Sequence, residues 1–249
     1  MFNFFVDENS RQGNSFVITG DDFNHIVNVL RMKDGDRFLV SCDGVSNLCE
    51  IKSIEADAVV TDVIEENYND TSLDVKIYLF QGLPKADKME LIIQKTVELG
   101  VEGIVPVEMN NCVVKLEPKK KQSKVSRWQA IAESAAKQSK RNAIPKVYDV
   151  LSYKEALLKA SQMDVLLVPY ECAEGMIATK EAFSRIKKGM SVGIIIGPEG
   201  GFSEKEISEA LTAGGNVISL GRRILRTETA AITTVSACML YAETELCND

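Results

Sequence analysis

The chain of 249 residues carries a formal net charge of −7 and is 45% hydrophobic, which suits one large or two smaller packed domains and excludes a disordered chain. No apolar run approaches the roughly 20 residues of a membrane helix, and MFNFFVDENS lacks the basic start and long apolar core of a secretory leader, so a cytoplasmic, membrane-free protein is expected. The six cysteines form no C-x-x-C pair and the single histidine, His25, cannot complete a zinc set with them, which leaves reduced, packed thiols and no metal site.

The first seventy residues read as short β-prone runs with one helix. Phe2–Val6, Ser15–Thr19, Arg37–Ser41, Leu48–Ile54 and Ala58–Val63 are the runs, separated by turn sequences such as Lys33-Asp34-Gly35-Asp36 and Asp43-Gly44, and several short strands suggest a small barrel. Asp21 or Asp22 can cap a helix that presents Phe23, Ile26, Val27 and Leu30 on one face. His25 lies off that stripe and reads as a surface residue, while Arg31 and Lys33, just past the helix, are better placed as phosphate contacts. Glu65 to Asp70 is polar and breaks the β pattern, so the boundary falls there, with domains at 1–70 and 71–249.

Strand and helix alternate in the second domain, which predicts a mostly parallel sheet. Val75–Gln81 is its first strand, and Met89, Ile92, Ile93 and Val97 recur at helical spacing after a loop holding Lys85 and Lys88. A strand at Gly103–Val107 precedes a helix from Ser123 that buries Trp128, Ile131, Ala132, Ala135 and Ala136 and ends before Asn142-Ala143-Ile144-Pro145. The span Lys115–Lys146 holds ten Lys/Arg and two Glu, so it carries +8 against −15 for the remainder. Such a local basic face suits a polyanion, with Lys120, Lys124 and Lys140 as candidate contacts, although Lys119-Lys120-Lys121 alone would pass for a solvated loop.

A helix at Tyr153–Ala160 leads to the strand Val165–Val168, whose end is Pro169-Tyr170-Glu171. Val192–Ile196 is the next buried strand, broken by Gly197-Pro198-Glu199-Gly200-Gly201. Ser203 and Glu206 form a capping box, Ile207, Ala210 and Leu211 give that helix an apolar stripe, and Gly214-Gly215 stops it. Val217–Leu220 is the last strand, and Gly221 opens a turn with Arg222, Arg223 and Arg226 before a final apolar helix, Thr229–Ala242. Ligands of open α/β sheets sit beyond the carboxyl ends of the strands, so three strand ends with two glycine turns mark a candidate pocket, against the plainer reading of ordinary connecting turns. Neither turn is a G-x-G-x-x-G or G-x-x-x-x-G-K-[ST] loop, which argues against a Rossmann dehydrogenase and a P-loop NTPase.

GPEGGFSEKEI followed by ISLGRRILRTETAAI closely resembles the C-terminal motifs of the bacterial family that methylates N3 of a uridine in 16S ribosomal RNA, within the SPOUT class of methyltransferases. HIVNVLRMKDGD from His25, LPKADKMELIIQKTVELGV from Leu83 and RWQAIAESAAKQSKRNAIPKV from Arg127 are similar to the same family in the same order. The resemblance implies an α/β fold: a knotted S-adenosylmethionine-binding domain with the segments 165–172, 194–202 and 217–230 tucked around the cofactor, a PUA-like barrel in front that binds RNA, and a homodimer with shared sites. Spacing alone reveals no knot. One departure stands out: the family usually has an arginine in a pattern like S-E-R-C-V-V-K, whereas this chain reads Met109-Asn110-Asn111-Cys112-Val113-Val114-Lys115.

On that reading the cofactor pocket comprises Val168, Pro169, Glu171, Ile196, Gly197, Glu199, Gly200, Gly201, Ser219, Leu220, Gly221, Ile224 and Leu225. Backbone N–H groups of Gly200, Gly201 and Gly221 would meet the adenine or carboxylate, Ile196, Leu220, Ile224 and Leu225 would form apolar walls, and Glu199 and Glu171 suit a positive ligand. Arg226 is the first candidate for stabilising the uracil anion and Arg141 the second, contributed by the other subunit, while no general base can be assigned. Lys85, Lys88 and Arg222 join the candidate RNA contacts. A non-catalytic RNA-binding assembly factor with purely structural glycine turns, or an enzyme of phosphate ligands using the arginine turn, are the alternatives.

Overall fold

The computed structural model describes residues 1–173 and 175–247, which divide into two compact units: Met1–Ser72 with Ala136–Ile144, and Leu73–Ala135 with Pro145 onward. No helix among the described residues is long and apolar enough to cross a membrane.

The first unit is a mixed sheet of six strands in the order β1-β4-β5-β6-β3-β2. These are β1 (Asn3–Val6), β2 (Arg11–Gln12), β3 (Ser15–Thr19), β4 (Arg37–Cys42), β5 (Val45–Ile54) and β6 (Ala58–Glu65). Only β1 and β4 pair in parallel; the other ladders are antiparallel. Phe4, Phe16, Ile18, Phe38, Val40, Ile51 and Val59 point into one apolar cluster, which the helix closes with Ile26 and the half-buried Phe23, Val27 and Leu30, as the stripe predicts. That helix, α1 (Gly20–Asn24), continues as a wider turn of π type over His25–Val29. Its N-cap is Thr19 rather than Asp21 or Asp22, which are the second and third helical residues, where carboxylates favour the helix dipole instead of capping it. The Glu8–Ser10 turn and β2 are too short for periodicity to have marked them.

Ala136–Ile144 belongs to this first unit because its polar groups are satisfied there. Asn3 Nδ2 donates to the carbonyl of Arg141 at 3.0 Å, Asn142 accepts from Thr71 Oγ1 at 3.0 Å and donates to Asp70 at 2.6 Å, and Lys137 pairs with Asp22 at 3.5 Å. The tail of a helix that the sequence assigns to 71–249 therefore packs with residues 1–72.

The second unit is a parallel sheet in the order β10-β8-β7-β12-β11-β13, with β9 added to β8. Its strands are β7 (Lys76–Gly82), β8 (Gly103–Glu108), β9 (Lys146–Val147), β10 (Leu151–Ser152), β11 (Val165–Pro169), β12 (Ser191–Ile196) and β13 (Asn216–Ile218). β11 and β12 are near-continuous buried apolar runs, as strands covered on both faces must be. The helices are α2 (Lys88–Glu98), α3 (Pro118–Ser139), α4 (Tyr153–Ala160), α5 (Ile177–Ser184), α6 (Glu204–Thr212) and α7 (Thr227–Tyr241). α7 packs on α2, β7 and β12.

Three expectations need correction. α3 starts at Pro118, not Ser123: proline suits the first helical position because its missing N–H needs no partner, and the Glu117 carbonyl accepts from Lys120 and Lys121, so Lys119–Lys121 are helical rather than a loop. Leu211 does not join the apolar stripe of α6; it is 53% exposed, and the buried positions are Glu206 and Ala210. The last strand stops at Ile218, leaving Ser219 and Leu220 in the turn, and α5 was not foreseen because its eight residues bury only Thr179 and Ala182.

Candidate active site

β11 pairs with β12 on one side, with Leu167 opposite Ile194, and with β13 on the other, with Val168 opposite Val217. The connection leaving β11 runs to β12 on one side and the next, leaving β12, runs back past β11 to β13 on the other, so a crevice opens at the carboxyl ends of these strands, where the loops diverge. A cavity of about 490 Å³ lies there, within the usual size of a small-molecule site.

The glycine turn after β12 is built by close approach. A Cβ on Gly82, at the end of β7, would sit 2.7 Å from the Pro198 nitrogen, so only glycine lets the turn rest on that strand. Gly201 closes it with φ +66° and its N–H on the Pro198 carbonyl at 2.9 Å. Asn111 holds the same turn from outside, its Nδ2 donating to the carbonyls of Gly200 at 3.0 Å and Gly201 at 3.3 Å. The predicted capping box is present: the Glu206 carboxylate accepts from the Ser203 N–H at 2.8 Å, while its other oxygen accepts from the Asn110 N–H at 2.9 Å.

Two threonines fasten the arginine turn. Thr179 of α5 donates to the Ser219 carbonyl at 2.9 Å and accepts from the Ser219 N–H at 3.0 Å. Thr227, the first residue of α7, donates to the Gly197 carbonyl at 2.7 Å and accepts from Gln81 Nε2 at 2.9 Å, which joins the two turns. Arg226 is the N-cap of α7, its carbonyl accepting from the Ala230 N–H at 2.8 Å. Its side chain and those of Arg222 and Arg223 are exposed and make no hydrogen bond or ion pair among the described residues. Ile224 is 88% exposed at the rim.

Lys88 lies in the cavity wall between two carboxylates, 3.1 Å from Glu199 Oε1 and 3.2 Å from Glu228 Oε2. The hydrogen bond to Glu199 is the main cause that raises the Lys88 pKa, against partial desolvation. Burial pushes the Glu199 carboxyl up, but the Lys85 N–H at 3.0 Å, its own backbone N–H and the Lys88 ammonium outweigh this and hold it below the ordinary range.

Of the residues expected around a cofactor, Pro169, Glu171, Ile196, Gly197, Glu199, Gly201, Ser219, Leu220, Gly221, Ile224 and Leu225 line this one cavity, as do Arg222 and Arg226. Val168 does not, because its side chain is buried against Gly215, and Gly200 faces Asn111 instead. Arg141 is not among the lining residues and lies in the first unit. Lys85 is exposed, Lys120 is paired with Glu117 at 3.1 Å, Lys124 is half-buried, and Lys140 ends α3 in a left-handed conformation with φ +58°. Arg31 and Lys33 are exposed in the first unit. Sequence reasoning missed Tyr170 and Phe202, which meet edge to face at 6.3 Å, and the supports Gln81, Thr179, Thr227 and Glu228. Gln81 had a signal: it is the one polar side chain at the end of the apolar run IYLFQ.

A parallel sheet with a cavity at its switch point, walled by glycine turns and rimmed by exposed arginines, is the arrangement of an α/β protein with a small-molecule site. The family described as RNA methyltransferase domain matches residues 71–239, and that described as RNA methyltransferase PUA domain matches 18–64. The chain is 42% identical to ribosomal RNA small subunit methyltransferase E of Bacillus subtilis over 92% of its own length and 91% of that protein. It is 34% identical to the protein of the same name from Mesomycoplasma hyopneumoniae, covering 96% and 99%. The crystal structure of the Neisseria gonorrhoeae ribosomal RNA small subunit methyltransferase E bound to S-adenosyl methionine is similar, with TM-score 0.82 and 30% identity over 96% of this chain and 97% of that one. The chain belongs to the ribosomal RNA small subunit methyltransferase E family of RNA methyltransferases.

Proposed function

We propose that this rRNA methyltransferase transfers a methyl group from S-adenosylmethionine to N3 of a uridine in 16S ribosomal RNA of the small subunit. The observation that carries the reading is the cavity at the ends of β11, β12 and β13, in which apolar walls, glycine-turn amides and the arginine turn converge. The residues present fit the cofactor. Ile196, Leu220 and Leu225 offer apolar surface to an adenine, the turns offer N–H groups to polar edges, and Glu171 offers negative charge to a sulfonium or ammonium. When bound, S-adenosylmethionine supplies an electrophilic methyl group.

The N3–H of uridine is a weak acid whose proton must pass to water for N3 to take the methyl carbon, while the carbon–sulfur bond would break and leave a neutral thioether. A guanidinium beside the uracil oxygens stabilises that anion, and each factor of ten in acidity is worth about 1.4 kcal/mol. Arg226 is assigned this role, with Arg141 of a second subunit as the further candidate. Residues 1–70 are assigned as a PUA-like barrel for RNA and 71–249, which includes positions 174, 248 and 249 outside the described residues, as a SPOUT domain with a trefoil knot. A cytoplasmic homodimer completes the assignment. Labelled methyl transfer to small ribosomal subunits, followed by mapping of the modified base, tests it; product at another base or atom would overturn the assignment to uridine N3.

Two expectations arise here. Reversing the charges of Lys120, Lys124 and Lys140 together should weaken RNA binding and flatten its dependence on salt, because fewer counterions are released. An unchanged slope in binding titrations would reduce the basic segment to a solvated surface. The protein should also have a dimeric mass in light scattering at micromolar concentration. Support comes from α7: within the chain Ala231, Thr234, Val235 and Cys238 are buried while Leu240 is 52% exposed, so part of an apolar helix is still uncovered. A monomeric mass would count against the shared site.

A further inference from the structure

We infer that Lys88 is a positioning residue whose ammonium ties the glycine turn after β12 to the first turn of α7 and so holds the arginine turn against the cavity. The inference rests on the methyl-transfer reading of the same cavity and gives Lys88 a role that its sequence position, beside Lys85 in a loop, does not suggest. Three elements meet at its amine. Lys88 itself opens α2, Glu199 stands in the glycine turn, and Glu228 is the second residue of α7, two positions after Arg226. The ammonium forms ion pairs with both carboxylates, at 3.1 and 3.2 Å, and all three side chains are largely shielded, Glu228 to 14% exposure, so that the buried Glu228 Oε2, which accepts no hydrogen bond, relies on this charge alone. Screening by salt is therefore weaker than on an open surface.

Without the lysine, Glu199 and Glu228 would be like charges converging on one site with no cation between them. Relief requires one of the two turns to move, and both line the cavity. The bond from the Thr227 hydroxyl to the Gly197 carbonyl joins the same two turns, so the ion pairs and this bond act in parallel. A phosphate contact by Lys88 would have to break two ion pairs first, whereas Arg222 and Arg223, which line the same cavity, have no ion pair among the described residues.

The variants K88M, K88R and K88M/E228Q decide the matter in a protein that also reports without turnover. K88M should lower kcat on the order of tenfold to a hundredfold, the range expected when reacting groups are misplaced by about an ångström, with KM for RNA little changed. K88R keeps the charge and should stay close to the wild type, and K88M/E228Q should recover part of the loss because one of the repelling carboxylates is gone. Carbon-13 titration should find the Glu199 carboxyl moved up in K88M and not in K88R, and amide exchange at Leu225 to Thr227 should quicken in K88M alone. An effect confined to KM for RNA with a flatter salt dependence, or an unmoved Glu199 titration with unchanged exchange, would overturn the inference. If the wild type transfers no methyl to small subunits, the functional reading falls by itself, and the titration and exchange still decide what Lys88 holds.

Discussion

Arg226→Ala should lower kcat and kcat/KM together, on the order of tenfold to a thousandfold, the cost of removing one charged stabiliser from a preorganised site. The structure fixes the backbone of Arg226 but leaves its guanidinium without a partner among the described residues. Its carbonyl accepts from the Ala230 N–H, Thr227 next to it is locked between Gln81 and Gly197, and the side chain projects at the cavity rim. The fixed backbone thus presents a charge at the rim that has no internal partner to give up when a negative group arrives. Raising the pH should shrink the deficit, because alkaline solution ionises uridine N3 without help, and the wild type should change less. Arg222→Ala and Arg223→Ala should instead raise KM for RNA. A deficit of Arg226→Ala that is constant with pH, or confined to KM for RNA in steady-state kinetics, would make Arg226 a positioning residue and move the anion's stabilisation elsewhere.

Most of the sheet was legible because buried parallel strands are written as unbroken apolar runs. Val192–Ile196 and Val165–Val168 needed no tertiary information, and the capping box at Ser203 and Glu206 was legible because it is a contact between residues three apart. Helix starts governed by backbone rather than by side chains were not. Pro118 begins α3 through its missing N–H, and Thr19 rather than an aspartate caps α1, where no side-chain hydrogen bond is made.

The cavity walls were legible and their supports were not, for one physical reason. Glycine, proline and arginine in a turn announce themselves locally, whereas Asn111 on Gly200, Gln81 on Thr227 and Thr179 on Ser219 join residues 89, 146 and 40 positions apart. Lys88 is the sharpest example. Its sequence neighbours suggest an exposed cation, and only the fold brings Glu199 and Glu228 to it. Leu211 fails in the opposite sense: helical spacing gave it a place in the stripe, but the buried Glu206, held by Ser203 and Asn110, turns that face of α6 by one position.

Gly201→Val should strongly weaken binding of S-adenosylmethionine in a chain that still folds. Two costs add at that position. A β-branched residue at φ +66° must adopt a left-handed backbone, worth roughly 1–2 kcal/mol, and its Cβ would lie 2.6 Å from Glu171 Oε1, so the carboxylate at the cavity wall must move. The backbone strain lowers stability, while the displaced carboxylate at the cavity wall lowers affinity on the order of a hundredfold, about 2.8 kcal/mol at 1.4 kcal/mol per factor of ten. Gly200→Val probes the outer face of the same turn, where a Cβ would meet the Asn111 Cβ at 2.9 Å and its backbone oxygen at 3.0 Å. Its effect should be smaller and should be partly relieved by Asn111→Gly, since only the side-chain half of that crowding can be removed. Gly214→Val is the matched control. It has φ +84° with open space around it, so it bears the backbone strain at the end of α6 without touching the cavity. Calorimetric titration should therefore find Gly214→Val less stable but unchanged in affinity, and equal affinities for the Gly201, Gly214 and wild-type proteins would remove the glycine turn from the binding site.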